Sequence, residues 1–250
     1  MTSPLIIAHR GESFDAPENT MTAINLAWER GTDALEIDVQ LSKDNVVVVI
    51  HDTDTKRLAG VKKKVREQTL EELKLLDVGI WKGARFKGEK IPILTEVLAS
   101  VPLDKKLIIE IKGGSEAVPF VADLLNESSL NSAQVEIIGF DIHTMTKVRE
   151  VFPDNKVLWL LDLDYYWYTK IFKPSIKKAI TKANQFEFDG LNVWAGNILN
   201  ESMVRQVHDA GLLLYCWTVD DMEHATKLMD WGIDAITTNR AAWMKETFSE

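Results

Sequence analysis

A single cysteine, Cys216, in 250 residues leaves no intramolecular disulfide framework and fits a reducing compartment. No basic segment leads into an apolar one at the start, because Met1-Thr2-Ser3-Pro4 runs straight into Leu5-Ile6-Ile7-Ala8. A cytoplasmic location is therefore expected, unless a leader has been trimmed. No apolar run approaches the roughly 20 residues of a membrane span. Positive charge is outnumbered, with 29 Lys and Arg against 38 Asp and Glu. The formal net charge of −9 opposes a nucleic-acid partner, and the basic cluster Lys62-Lys63-Lys64 with Arg66 reads as a solvated loop. Low-complexity segments are absent. So is a legible protein nucleophile: no Ser-His-Asp or Cys-His arrangement is apparent, and Cys216 precedes Trp217 inside a strand, where alternation turns the two to opposite faces.

What remains is an α/β pattern. With 46% hydrophobic and 27% charged residues, the chain can build a large core without staples. Short β-branched runs fall at 5–8, 34–40, 46–51, 107–111, 135–139, 156–161, 188–193, 212–217 and 234–237. Helical stretches separate most of them, at 20–30, 95–101, 116–127, 143–152, 174–183, 201–210, 221–231 and 241–248. Asn200 and Asp220 are placed to cap helices, and Gly31, Gly211 and Gly232 to end them in a left-handed turn. Strand–helix alternation implies parallel strands with helical crossovers. Nine strands are one too many for a (β/α)8 TIM barrel. The polar turn Ser42-Lys43-Asp44-Asn45 is too short for a crossover helix, so 34–40 and 46–51 should pair as an antiparallel hairpin. The expectation is one barrel domain over 1–250, with an extra antiparallel strand at its mouth and an insertion, 53–94, after strand two.

Reacting groups in such a barrel sit at the C-terminal ends of strands. His9 and Arg10 follow strand one, Glu36 and Asp38 lie on strand two, Glu110 and Lys112 close the third barrel strand, and Trp217 closes the seventh. Glu36 and Asp38 are two residues apart, so both project to one face, about 6–7 Å from each other. Inside a lumen such carboxylates repel, and a divalent cation resolves the conflict. Glu110 on the adjacent strand can complete the set. All-oxygen ligands favour Mg²⁺, Ca²⁺ or Mn²⁺ over zinc. The bland alternative is an ion-pair network of these acids with Arg10 and Lys112. A turn centred between Lys43 and Asp44 would set His51 opposite Glu36, and His9 reaches the same mouth. Two such histidines could bind metal, hold structure, or serve as acid and base. His143, His208 and His224 lie in helical stretches and read as surface or packing residues.

Ala8-His9-Arg10-Gly11, Pro17-Glu18-Asn19-Thr20, Glu36-Ile37-Asp38-Val39 and Ile50-His51-Asp52 form an ordered set. Ile91-Pro92-Ile93-Leu94, Ile109-Glu110-Ile111-Lys112, Trp217-Thr218-Val219 and Gly232 through Thr238 continue it. The whole resembles the glycerophosphodiester phosphodiesterase family, over about 5 to 239. The resemblance implies that His9 and His51 are the catalytic acid–base pair and that Glu36, Asp38 and Glu110 hold one divalent cation. It also puts Arg10 and Lys112 on the phosphate of a glycerophosphodiester, with Trp217 in the substrate site. By the same resemblance, the substrate's own glycerol hydroxyl attacks, giving a cyclic phosphate that water opens. Two positions depart from the family pattern: Asn239-Arg240 stands where an Asp-Pro pair is usual, and Gly139-Phe140 where a serine–phenylalanine pair is common.

The run Tyr165-Tyr166-Trp167-Tyr168, with Asp162 and Asp164 before it, follows the fifth barrel strand. It suits a lid, a choline-accepting face or a peripheral lipid contact, or simply a packed loop. Lysophospholipase D activity or a phospholipase that stops at the cyclic product would use the same barrel. A Schiff-base lysine at Lys112 fits poorly beside three carboxylates. A non-enzymatic binding module should lack at least one of His9, His51, Glu36, Asp38 or Glu110, and all five are present.

Overall fold

Branched and aliphatic residues alternate between two buried faces in the strands that build the molecule. The computed structural model describes residues 3–163 and 175–249, so the aromatic run from Tyr165 to Tyr168 lies outside the described residues. The strands are β1 Leu5–His9, β2 Ala34–Leu41, β3 Val47–Val49, β4 Lys106–Ile111, β5 Val135–Gly139, β6 Lys156–Leu161, β7 Gly190–Trp194, β8 Leu213–Trp217 and β9 Ala235–Thr238. Eight of them pair in parallel in the order β1-β9-β8-β7-β6-β5-β4-β2, and β1 pairing with β2 closes the barrel. β2 shows why the strands are buried throughout. Leu35, Ile37, Val39 and Leu41 pack outward in the main core beneath the helices. Ala34, Glu36, Asp38 and Gln40 alternate with them and face the other way. The lower lumen is filled by Ile7, Ala34, Ile108, Ile138, Leu158, Leu160, Tyr215 and Ala235. Tyr215 donates to Glu136 at 2.9 Å there, and Lys106 pairs with the same carboxylate at 2.9 Å.

β3 is the extra antiparallel strand, and its position explains the mouth of the barrel. β1 pairs with β2 only over Ile7↔Ala34 to His9↔Glu36. β3 pairs with β2 further along, from Leu41↔Val47 to Val39↔Val49. Val39 also pairs with Ile111 of β4, so β3 must lie on the edge of β2 opposite β4, the edge β1 has vacated. Two segments therefore run toward one another along a single edge, one ending at His9 and the other descending to His51. The register is one residue off the expected one, since Val39 rather than Asp38 faces Val49. The turn is wider than a two-residue hairpin: the Ser42 N–H donates to Val46 O, and Asn45 adopts φ 62°. A one-residue slip normally reverses faces. Here the ladder stops at Val49 and only the Ile50 N–H still donates to Asp38 O, at 2.9 Å, so His51 leaves the strand free to turn into the mouth.

Residues 53–94 contribute short helices at Lys56–Ala59 and Leu70–Leu75. Their buried side chains, Leu58, Val65, Leu73, Val78 and Ile91, pack on Val48 and Ile50 of the hairpin in a cluster apart from the main core. Gly31, Gly211 and Gly232 take positive φ after their helices, and Asn200 caps Glu201–Asp209. Asp220 does not cap a helix: Asp221 takes that place by accepting from the His224 N–H at 2.8 Å. The carboxylate of Asp220 is committed to the end of β9 instead.

Candidate active site

The C-terminal ends of β1, β2 and β4 carry the charged side of a cavity of about 170 Å³, lined by His9, Arg10, Glu36, His51, Glu110 and Lys112. The opposite side is largely apolar, with Ile138, Phe140, Leu160 and Trp217. Of the site residues expected from the sequence, His9, Arg10, Glu36, His51, Glu110, Lys112 and Trp217 line this one cavity. Asp38 lies just behind the lining and is fully buried.

Oxygens of Glu36, Asp38 and Glu110 lie within 4.8 Å of one another. The ion-pair alternative is half realised: Arg10 Nε lies 3.0 Å from Asp38 Oδ2, and Lys112 Nζ lies 2.9 Å from Glu110 Oε1. Asn19 also donates to Asp38 Oδ2 at 2.8 Å, and the Arg10 N–H donates to Glu36 Oε2 at 3.0 Å. Even so, Glu36 Oε1 and Asp38 Oδ1 are buried without a hydrogen-bond partner. Burial, reinforced by the charges of Asp38 and Glu110, pushes the Glu36 carboxyl well above its usual range. Burial and the Asp38 charge likewise push Glu110 up to about 7. Burial opposes ionisation of Asp38 too, but Arg10, Lys112 and His51 hold its carboxyl below the usual range. Two unbonded carboxylate oxygens on β2, with the Glu110 carboxylate beside them on β4, fit a hard divalent cation. Surplus negative charge of this kind is what ion pairing to Arg10 and Lys112 alone leaves unresolved.

Arg10 has φ 57°, a left-handed conformation that a non-glycine residue adopts under constraint. The conformation turns its N–H onto Glu36 and its guanidinium onto Asp38 and Glu18, the latter at 2.8 Å. Gly11 follows with φ 83°, and a Cβ there would come within 2.6 Å of the Ala23 backbone. The chain must therefore be glycine where it folds back on the first helix, Met21–Glu29.

Each histidine is gripped through Nδ1. His9 Nδ1 is 2.8 Å from Asn239 Oδ1, and His51 Nδ1 is 2.8 Å from Asp52 Oδ1. Burial first, and then the charge of Arg10, draws His9 from its ordinary 6.5 down to about 4. Asp52 is anchored by Arg57 at 2.6 Å, and Arg57 makes two further bonds of 2.8 Å to Glu18. Burial resists it, but hydrogen bonds from Arg57 and His51 bring Asp52 down to about 2. A continuous chain of contacts thus runs His51–Asp52–Arg57–Glu18–Arg10–Asp38.

Five of these residues carried no assigned role in the sequence reading: Glu18, Asn19, Asp52, Arg57 and Asn239. Asn19 offered a signal, since asparagine tolerates the left-handed φ of 56° it adopts. Asn239 did not, because its partners His9 and Asp220 are far apart in sequence. Asp220 Oδ2 accepts from Asn239 Nδ2 at 2.6 Å, which turns the amide oxygen toward His9 and the Ser13 hydroxyl. Gly139 has a steric cause: a Cβ would meet Met145 Sδ at 2.8 Å, so the buried methionine occupies the space a serine would need. On the apolar side, Trp217 stands edge-on to Phe140 and Trp194, with centroids 5.6 and 5.2 Å apart. His208 pairs with Asp234 at 2.9 Å on the surface, while His143 and His224 lie in helices away from the cavity.

The model of the glycerophosphoryl diester phosphodiesterase family matches residues 9–242. A glycerophosphodiester phosphodiesterase of Caldanaerobacter subterraneus subsp. tengcongensis is 34% identical over 242 residues, covering 94% of this chain and 93% of that protein. A lysophospholipase D of Rattus norvegicus is 26% identical over 271 residues, covering 96% of this chain and 84% of its own length. An Oleispira antarctica phosphodiesterase, solved in complex with the product sn-glycerol-3-phosphate, superposes with a TM-score of 0.88 at 24% identity. That match covers 99% of this chain and 98% of the other, and it speaks for the fold alone.

Proposed function

The chain belongs to the glycerophosphodiester phosphodiesterase family, and from that premise we propose that it hydrolyses glycerophosphodiesters to glycerol phosphate and a free alcohol. One observation carries the reading. Two imidazoles, each engaged at Nδ1, line a single cavity together with buried carboxylates that keep unbonded oxygens. Glu36, Asp38 and Glu110 would hold Mg²⁺ or Ca²⁺, with Mn²⁺ also suited to an all-oxygen set, and the bound cation would offset negative charge on the phosphodiester.

The remaining chemistry belongs to side chains. Arg10 and Lys112 bind the phosphate oxygens and stabilise charge that grows in the transition state. His9, with Nδ1–H donated to Asn239, presents an unprotonated Nε2 and acts as general base on the attacking hydroxyl. His51, backed by Asp52, delivers a proton from Nε2 to the leaving alcohol. The attacking hydroxyl is the glycerol hydroxyl next to the phosphate, a choice supported by the absence of serine and cysteine among the described lining residues. Its intramolecular position raises its effective concentration. Water then opens the cyclic phosphate. Trp217 and Phe140 form the apolar wall that the alcohol passes.

Incubation with glycerophosphocholine, glycerophosphoethanolamine and glycerophosphoglycerol, each with Mg²⁺, Ca²⁺ or Mn²⁺, should release sn-glycerol 3-phosphate and the matching alcohol. No release from any pair would end the proposal. A second reading, lysophospholipase D activity, draws support from the rat relative's name and from Phe140, which lines the cavity yet is 44% exposed. Lysophosphatidylcholine belongs in the same assay. No helix among the described residues is long and apolar enough to cross a membrane.

A further inference from the structure

In the closed order of eight strands, β7 stands four places from β2, so the two face each other across the lumen. Glu36 and Asp38 therefore look across the cavity at whichever β7 side chains point inward. Leu191 and Val193 belong to the outer layer beneath the helices. By alternation Gly190, Asn192 and Trp194 point in. Gly190 has no side chain, and Trp194 stands at the rim against Trp217. Asn192 is left as the polar group on the inner part of that wall, in register with Leu160 on β6 and Tyr215 on β8.

Asn192 is 2% exposed, it lines the cavity, and its Oδ1 has no hydrogen-bond partner. Its neighbours there, Ile138, Leu160 and Trp217, offer the amide little. A buried acceptor left unbonded is destabilising, and a leucine of similar size would remove the defect. Such a defect is retained where a ligand satisfies it, as stability is exchanged for function at binding sites.

We propose that Asn192 is the polyol-binding residue of this site, its Oδ1 accepting a hydrogen bond from a free hydroxyl of the glycerol moiety while the phosphate lies against Arg10 and Lys112. This deepens, and rests on, the glycerophosphodiester reading. An amide oxygen needs an O–H or N–H donor, and a quaternary ammonium head group has neither. The glycerol end therefore takes the inner part of the cavity, and the head group lies toward Phe140, Trp194 and Trp217, whose ring faces suit a cation. At about 170 Å³ the cavity is smaller than the roughly 300–1,000 Å³ of drug-sized sites, which fits a glycerol phosphate unit rather than a whole lipid.

Calorimetric titration of the full chain with Mg²⁺ present, using sn-glycerol 3-phosphate and inorganic phosphate as separate probes, tests the assignment. Asn192→Leu should weaken glycerol 3-phosphate about tenfold and leave inorganic phosphate within roughly twofold of wild type. Asn192→Ala, which cannot overfill the wall, should give the same ratio between probes. Equal losses for both probes, or no loss for either, would overturn the role of Asn192. A wild-type protein that neither binds glycerol 3-phosphate nor cleaves any glycerophosphodiester overturns the underlying reading instead, and wild type alone reveals it.

Discussion

His9 and His51 line one cavity, yet the two rings are held in unlike ways. His9 closes a barrel strand, its side chain is 16% exposed, and its Nδ1 meets the neutral amide oxygen of Asn239. His51 follows the extra strand, its side chain is 31% exposed, and its Nδ1 meets a carboxylate that Arg57 pins from behind. Burial and the charge of Arg10 keep His9 near 4, where a ring is neutral at physiological pH and its Nε2 lone pair is available. A carboxylate behind an imidazole fixes the ring's orientation and tautomer, as in a hydrolase triad. The contrast teaches that two chemically identical rings at one cavity are set apart by what each touches on its far side, and the proposed division into base and acid rests on that difference.

The largest expected effect is common to both rings and serves as the control for the comparison. Exhaustive chelation should abolish turnover, and Mg²⁺, Ca²⁺ or Mn²⁺ should restore it, whatever the leaving group. Full turnover in a verified metal-free sample would remove the carboxylate site from the reaction.

Next in size is the separation of the two histidines. His9→Ala and His51→Ala should each lower kcat on glycerophosphocholine by at least about 10²-fold. A glycerophosphodiester of 4-nitrophenol, whose leaving group needs no proton, should recover most of the loss in His51→Ala and little of it in His9→Ala. Equal recovery in both variants would erase the distinction between base and acid.

Much of this is legible in the sequence alone. Period-2 spacing put Glu36 and Asp38 on one face, and the short polar turn after β2 marked the extra strand, because both rest on local geometry. The hairpin register was missed by one residue, since Asn45 widens the turn with a left-handed φ of 62°. His51 nevertheless reached the mouth, because the ladder ends two residues earlier. The partner of His9 was not readable at all. Asn239 lies 230 residues away along the chain, and its amide is oriented by Asp220, which looked like a helix cap. Contacts made by barrel closure leave no local trace.

A smaller effect concerns protons competing with the cation. Glu110 is raised from 4.5 to about 7, so its proton stabilises the metal-free fold fully below 4.5, and that contribution is lost as pH rises through 7. Asp38 is shifted the other way, and its contribution disappears only below the ordinary carboxylate range. Cation binding must displace the Glu110 proton. Apparent affinity for Mg²⁺ should therefore fall at least about tenfold per pH unit from 7 to 5, more steeply where Glu36, also raised, must give up a proton too, and the melting-point gain on adding Mg²⁺ should shrink alongside. An affinity independent of pH over that window would mean that Glu110 is not a ligand.

The smallest effect bears most directly on the two histidines, and it comes from making His9 resemble His51. Asn239→Asp alone would set two carboxylates face to face, since Asp220 Oδ2 lies 2.6 Å from Asn239 Nδ2, and one of them would hold a proton. The paired exchange Asp220→Asn with Asn239→Asp keeps that hydrogen bond and the net charge, and moves the negative charge next to His9 Nδ1. A carboxylate there favours the imidazolium, so the pKa of His9 should rise from about 4 toward its ordinary 6.5. A base must be neutral to act, hence the acid limb of the kcat/KM profile should move upward by about a unit or more. Activity at pH 5 should fall about tenfold while activity at pH 8 changes by no more than roughly twofold. A uniform loss across the profile would signify misplaced geometry, and an unmoved limb would mean that Asn239 does not govern the protonation of His9.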